Sequence, residues 1–219
     1  MSEHEDLVLN PAKTLTYRVC AAIVSGLAAI LFRPHVEGAH HIPLEGPVLI
    51  APVHRSNVDF AFTLFISPRK VFFMAKDGLF AVPLLGPLLT RLGAFPVNRS
   101  SADRESLRLA EEVLRRGHAL VMFPEGTRKE GRAVEPLHDG AMFVAGRTGA
   151  SVVPVGIAGS DRAMPVGARL PRLAKVNVVV GPPISPPTSE GRLSRSKVSS
   201  KSEELRRALE AVYAQSLAL

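Results

Sequence analysis

The sequence predicts an α/β fold: a single domain with a largely parallel central sheet flanked by helices. Three observations lead there. From Pro47 onward, short apolar runs alternate with helix-length stretches, the pattern of strand–helix–strand units. The helical stretches carry end signals, most clearly at 101–116, where Ser101 can cap the start and Gly117 the end. The chain has 219 residues, 46% hydrophobic and 21% charged, enough apolar material for one core and too much for a disordered chain.

Taken in order, residues 1–36 form an N-terminal apolar helical segment. It starts acidic (Glu3, Glu5, Asp6), turns basic at Lys13 and Arg18, and then runs uncharged for 14 residues, 19–32. A helix of that length covers about 21 Å against a hydrocarbon core of roughly 30 Å. The run therefore predicts a buried or membrane-interfacial helix rather than a span, and the acidic start without an A-x-A site does not fit a secretory signal. Residues 37–181 form the main domain. Strands are expected at 48–53, 71–75, 94–97, 119–123, 152–158 and 176–180, with helices at 58–66, 101–116 and 138–148. Residues 182–201 are rich in Pro, Ser and basic side chains and read as a solvated linker. Ser202 then caps a terminal helix, 202–219, with Leu205, Leu209, Val212 and Tyr213 on one face.

Lys and Arg number 27 against 20 Asp and Glu, a net charge of +7, on a chain with ten Phe, two Tyr and no Trp. That balance admits two anionic partners, nucleic acid and membrane. The single Cys20 excludes a disulfide framework and any C-x-x-C metal site. The G-x-G-x-x-G, P-loop, H-E-x-x-H and G-x-S-x-G motifs are all absent.

Two short motifs carry chemistry. APVHRSNVDF places His54 and Asp59 five residues apart after the first strand. Within one helix that spacing turns the side chains about 140° apart, so they meet only if His54 lies on a loop and Asp59 in the first helical turn. Ser56 or Asn57 as N-cap gives that arrangement, and the carboxylate can then take one imidazole N–H and leave the other nitrogen as a base. The plainer alternative is an Asp favoured by a helix N-terminus beside an unrelated loop His. FPEGTR, residues 123–128, follows another strand and puts Glu125 and Arg128 where ligands gather in open α/β sheets. An Arg there suits the oxygens of a phosphate or carboxylate; a surface turn closed by a Glu125–Arg128 ion pair is the alternative. Lys76 and Arg99 also follow strands, and a parallel sheet would gather these cations at one edge.

In this order the motifs resemble the glycerolipid acyltransferase family. HRSNVD looks like its H-x4-D block. Lys76 to Arg99, with Pro83, Gly86 and Gly93, looks like the second, FPEGTR the third, and VVPVGIAG, residues 152–159, the fourth. The resemblance covers residues 38–181. It implies transfer of a fatty acyl group to a hydroxyl of 1-acylglycerol 3-phosphate, with His54 as general base and Asp59 orienting it. It also implies that Arg99, Glu125, Gly126, Thr127 and Arg128 hold the phosphate with Lys76 assisting, and that Pro154 lies on the acyl side. No metal and no cofactor are implied; acyl-CoA or acyl-carrier protein is a co-substrate. Glycerol 3-phosphate or another lysophospholipid is an alternative acceptor, and a non-catalytic membrane tether the alternative of another class. The resemblance turns the positive charge toward an anionic membrane rather than nucleic acid, and implies a peripheral or monotopic place on the cytoplasmic face of the cell membrane. Two positions depart from the family's habit: Asp139-Gly140 stands where Lys-Gly is frequent, and Lys129 where Ser is common.

Overall fold

The structure, a computed structural model, describes residues 14–97, 104–168, 170–188 and 192–219. In chain order the strands are β1 (His35–Glu37), β2 (Val48–Pro52), β3 (Val71–Lys76), β4 (Ala94–Val97), β5 (Ala119–Val121), β6 (Ser151–Ala158) and β7 (Asn177–Val180). The α-helices are α1 (Thr14–Phe32), α2 (Asp59–Ile66), α3 (Leu85–Arg91), α4 (Arg104–Arg115), α5 (Gly140–Thr148), α6 (Ser160–Ala163) and α7 (Arg195–Ala218).

All seven strands form one sheet, in the order β1-β7-β6-β2-β5-β3-β4. The five strands from β6 to β4 are mutually parallel, and β7 pairs with β6 antiparallel. Each of the six expected strands is present, with ends shifted by at most two residues. All five residues of β2 are buried, which explains its unbroken apolar run: helices cover both faces. From β2 the chain leaves through α2 toward β3, whereas from its neighbour β5 it leaves through α5 toward β6, on the other side of β2. Right-handed crossovers in opposite directions put α2 and α5 on opposite faces, which makes the carboxyl ends of β2 and β5 the topological switch point of the sheet. HRSNVD follows β2, and FPEGTR follows β5.

α4 follows its sequence pattern: Ala110, Val113 and Leu114 are buried, and Glu111–Arg115 and Glu112–Arg116 form outward ion pairs four residues apart. Gly117 ends it in the left-handed conformation (φ 76), its N–H donating to Leu114 O and that of His118 to Val113 O. The expected cap, Ser101, lies outside the described residues.

Three expectations change. The N-terminal helix begins at Thr14, not Val19, so its 19 residues reach about 28 Å, and the stretch Leu15–Phe32 is long and apolar enough to cross a membrane by length and composition. The charge of Arg18 interrupts the apolar run but not the helix. Second, the boundary at residue 36 divides β1, a short edge strand parallel to β7 that no apolar run announces. Third, the expected linker 182–201 is helical from Arg195 on, with Ser194 rather than Ser202 as N-cap, accepting from Lys197 N (3.3 Å). Ser and Lys in RSKVSSK look solvated, but Val198 and Ser202 fall on the buried stripe of α7. The hydroxyls of Ser199 and Ser202 donate to the Asp139 carboxylate at 2.8 and 2.7 Å, which fixes this turn against the start of α5.

Candidate active site

β2 ends at Pro52, and Val53 N–H donates to Val155 O (3.0 Å), the last ladder bond before the chain leaves the sheet. The next turn wraps around a single carboxylate oxygen. Asp59 Oδ2 accepts from His54 Nδ1 at 2.9 Å and from the backbone N–H groups of Arg55 and Ser56 at 2.7 and 2.8 Å. This closure does the work expected of an N-cap side chain. The residue at the cap is Val58, in helical conformation, and Ser56 Oγ donates instead to Met164 O at 2.7 Å, tying the loop to the segment after β6. With Nδ1–H committed to a fully buried carboxylate, the neutral His54 ring keeps its lone pair on Nε2. The ring stacks on Phe123, centroids 4.1 Å apart, and its side chain remains 9% exposed. It is held, but open on one side.

FPEGTR meets this loop along the backbone. Glu125 Oε2 accepts from His54 N at 2.9 Å, and Lys129 N donates to His54 O at 2.8 Å, so both main-chain groups of His54 are bound by the turn after β5. Gly126 sits at φ 72 with the His138 ring against it: a Cβ there would lie 2.7 Å from that ring. Only glycine fits the turn.

The role expected for Glu125 is not the one it has. Its carboxylate is 1% exposed and taken up internally, accepting from His54 N, from Arg55 Nη1 at 3.0 and 2.7 Å, and from Glu135 N at 3.3 Å. A buried, paired anion cannot hold a phosphate; it holds the loop. Nor does Glu125 pair with Arg128. Arg55, which the motif reading passed over, is the partner, and its Nη1 and Nη2 also donate to His54 O (3.0 Å) and Ala133 O (2.7 Å). Burial alone would pull the guanidinium pKa down, but the bonds and charge of Glu125 outweigh it and leave Arg55 raised. The Tyr213 ring from α7 covers the guanidinium, 4.9 Å from its centroid. An Arg directly after a candidate base was the available signal for Arg55; the apolar face of the last helix includes Tyr213, but nothing in that pattern pointed to its place over Arg55.

The remaining predicted residues divide. Thr127 is exposed and Arg128 half-buried, one residue before the Lys129 N–H that binds His54 O; Arg128 makes no ion pair or side-chain hydrogen bond among the described residues. Lys76 is exposed at the end of β3, on the same sheet edge. Arg99 lies outside the described residues. Pro154 is buried within β6, in register with Ala51, and its carbonyl accepts from Gly181 N (2.9 Å). Proline is tolerated there because its missing N–H falls on the side where β7 has ended. Asp139, one of the family departures, is occupied by α7. Among the described residues no group of three His, Cys, Asp or Glu could hold a metal ion.

A largely parallel sheet with a buried His–Asp pair at its switch point is the setting of a hydroxyl-activating base, and sequence comparison names the class. The Acyltransferase family model matches residues 33–158, and the chain belongs to that family. It is 27% identical over 183 residues to a chloroplast 1-acyl-sn-glycerol-3-phosphate acyltransferase of Arabidopsis thaliana, covering 81% of this chain and 51% of that protein. To the 1-acyl-sn-glycerol-3-phosphate acyltransferase of Bacillus subtilis (strain 168) it is 27% identical over 169 residues, 77% of this chain and 82% of the other. The crystal structure of the 1-acyl-sn-glycerophosphate acyltransferase PlsC from Thermotoga maritima matches with a TM-score of 0.74 and 26% identity over 90% of this chain and 80% of that one. The chain thus spans about half the length of the chloroplast relative and four-fifths of the bacterial ones.

Proposed function

We propose that this chain transfers a fatty acyl group from a thioester, acyl-CoA or acyl-carrier protein, to the free hydroxyl of 1-acylglycerol 3-phosphate, giving phosphatidic acid. The observation that carries the reading is the 2.9 Å bond from His54 Nδ1 to buried Asp59, which leaves Nε2 as the base. Nε2 takes the hydroxyl proton as the oxygen attacks the thioester carbonyl, and a C–O bond forms. The tetrahedral intermediate expels the thiolate, which recovers the proton from the imidazolium; one ester and one thiol result. Asp59 stabilises the imidazolium while it exists. Arg128, with Lys76 at the end of β3 and with Arg99 as the family resemblance implies, supplies the cations for the substrate phosphate.

The acceptor is an amphiphile, and the apolar surface suits it. Leu15, Val19, Ile23, Leu27 and Ile30 form a stripe along α1, each at least half exposed, while Tyr17, Ala28 and Phe32 on the other side pack inward. At the carboxyl edge of the sheet Leu84 projects, 88% exposed on a left-handed backbone (φ 66), and Leu170 and Leu173 project from the segment between α6 and β7. These groups, with exposed Arg33, Arg162 and Arg172, support a peripheral or monotopic seat on an anionic membrane, on the cytoplasmic face where thioester donors are made.

The test is turnover. Purified protein with labelled palmitoyl-CoA and lysophosphatidic acid should form phosphatidic acid and release one thiol per acyl group moved. Arg128→Ala should raise the acceptor KM by roughly 10–100-fold, the loss of a charge-assisted contact, and matter little for a lysolipid lacking the phosphate monoester. Thiol release indifferent to acceptor would overturn the reading.

A further inference from the structure

We infer that Tyr213, on the terminal helix outside the family-matched residues, is a positioning residue for His54, acting through Arg55 and Glu125. The inference rests on the acyltransfer reading only for its kinetic readout. Arg55 is 2% exposed, and its donors reach its own loop (His54 O) and two other segments, the FPEGTR turn (Glu125) and the 131–135 segment (Ala133 O). Its Nε has no hydrogen-bond partner among the described residues, and the Tyr213 ring lies over the guanidinium. A guanidinium is weakly hydrated and stacks on aromatic faces, so the ring replaces the water that would otherwise reach the Arg55–Glu125 pair and screen it. Glu125, fixed by Arg55, fixes His54 N in turn. The contacts run Tyr213, Arg55, Glu125, His54.

The position of Tyr213 is set by bare backbone. A Cβ on Gly156 of β6 would lie 2.4 Å from Val212 O and 2.7 Å from Tyr213 N, and one on Gly181 would lie 2.8 Å from the Val212 side chain. The two glycines let α7 approach the sheet closely enough for the ring to reach Arg55. Burial pushes the Tyr213 phenol up, against the pull of Arg55, so the side chain stays neutral. Its hydroxyl is 3.4 Å from Gly131 O, a weak bond, and also interacts with the Arg55 side chain that the ring covers, so Tyr213→Phe separates the share of the hydroxyl from that of the ring.

The experiment compares Tyr213→Leu, Tyr213→Phe and Arg55→Lys in the full chain with palmitoyl-CoA and lysophosphatidic acid. Tyr213→Phe should keep kcat within about twofold, whereas Tyr213→Leu should lower it about tenfold or more with acceptor KM within about twofold. In the Arg55→Lys background, which keeps the charge but loses the planar fork, Tyr213→Leu should cost much less, because the two residues act as a unit. The His54 imidazole resonances, followed by NMR without turnover, should shift in Tyr213→Leu and stay in place in Tyr213→Phe. Wild-type kcat in Tyr213→Leu, equal damage in Phe and Leu, or full additivity with Arg55→Lys would overturn the inference. Should Tyr213→Leu fail to fold, Tyr213→Met takes its place with the same expectations. An inactive wild type would count against acyltransfer alone, since the resonances would still decide the positioning.

Discussion

The two edges of the sheet treat buried charge in opposite ways. At the carboxyl edge, His54 meets Asp59 and Arg55 meets Glu125, and between them these four side chains also bind the backbone of the loop they stand on. At the amino edge, Lys70 enters just before β3 with its Nζ buried and without a hydrogen-bond partner among the described residues. It is stacked over the rings of Tyr17 and Phe72 at 5.0 and 4.9 Å. Burial pulls its pKa from 10.5 to about 8, and the cation in turn helps depress that of neighbouring His118, where burial is the larger cause. Paired charges fix geometry, whereas an unpaired one only costs stability. The chain spends its compensated charges where a base must be aimed.

Changes at the two edges should therefore act on different quantities. Asp59→Asn has the largest effect: the amide can present N–H to the ring and turn its lone pair the wrong way, so kcat should fall by roughly 10³–10⁴ while the fold survives. Glu125→Ala comes next and should cost both activity and stability. It leaves the Arg55 guanidinium buried without a counter-charge, a loss of about 3–5 kcal/mol on urea unfolding. An exposed Glu125 contacting phosphate would show a raised acceptor KM and unchanged stability instead.

The smallest change is at the other edge and has the opposite sign. Lys70→Met should stabilise the protein by about 1 kcal/mol at pH 7, a figure discounted for the partial exposure of Lys70 and for the lost ring contacts, with turnover unaltered. The folded state binds the Lys70 proton less tightly than the unfolded chain. The cost is therefore full below about pH 8 and is relieved as pH rises toward the ordinary value of 10.5. The advantage of Met should shrink across that window. A constant difference from pH 7 to 10.5 would mean that Lys70 is not strained by its charge.

Much of this was legible in the sequence, for identifiable reasons. Buried parallel strands such as β2 and β6 write themselves as apolar runs, and a five-residue His–Asp spacing admits few geometries. Arg55 and Glu125 were harder, because a charged residue in a motif looks the same whether it faces a ligand or another charge 70 positions away in the chain. β1 and the first turns of α7 were illegible for a different reason. Edge strands and Ser-rich turns gain their order from tertiary partners, here β7 and Asp139, rather than from local pattern. Tyr213 was visible as an apolar position on a helix, but its partner was not.

The role of His54 as the base is tested most directly by His54→Ala, measured beside the wild type for phosphatidic acid formation and for thermal unfolding. Product formation should be lost while the melting temperature changes little, since the main-chain bonds from Glu125 and Lys129 to residue 54 remain. Phosphatidic acid formed at the wild-type rate by the folded variant would contradict it.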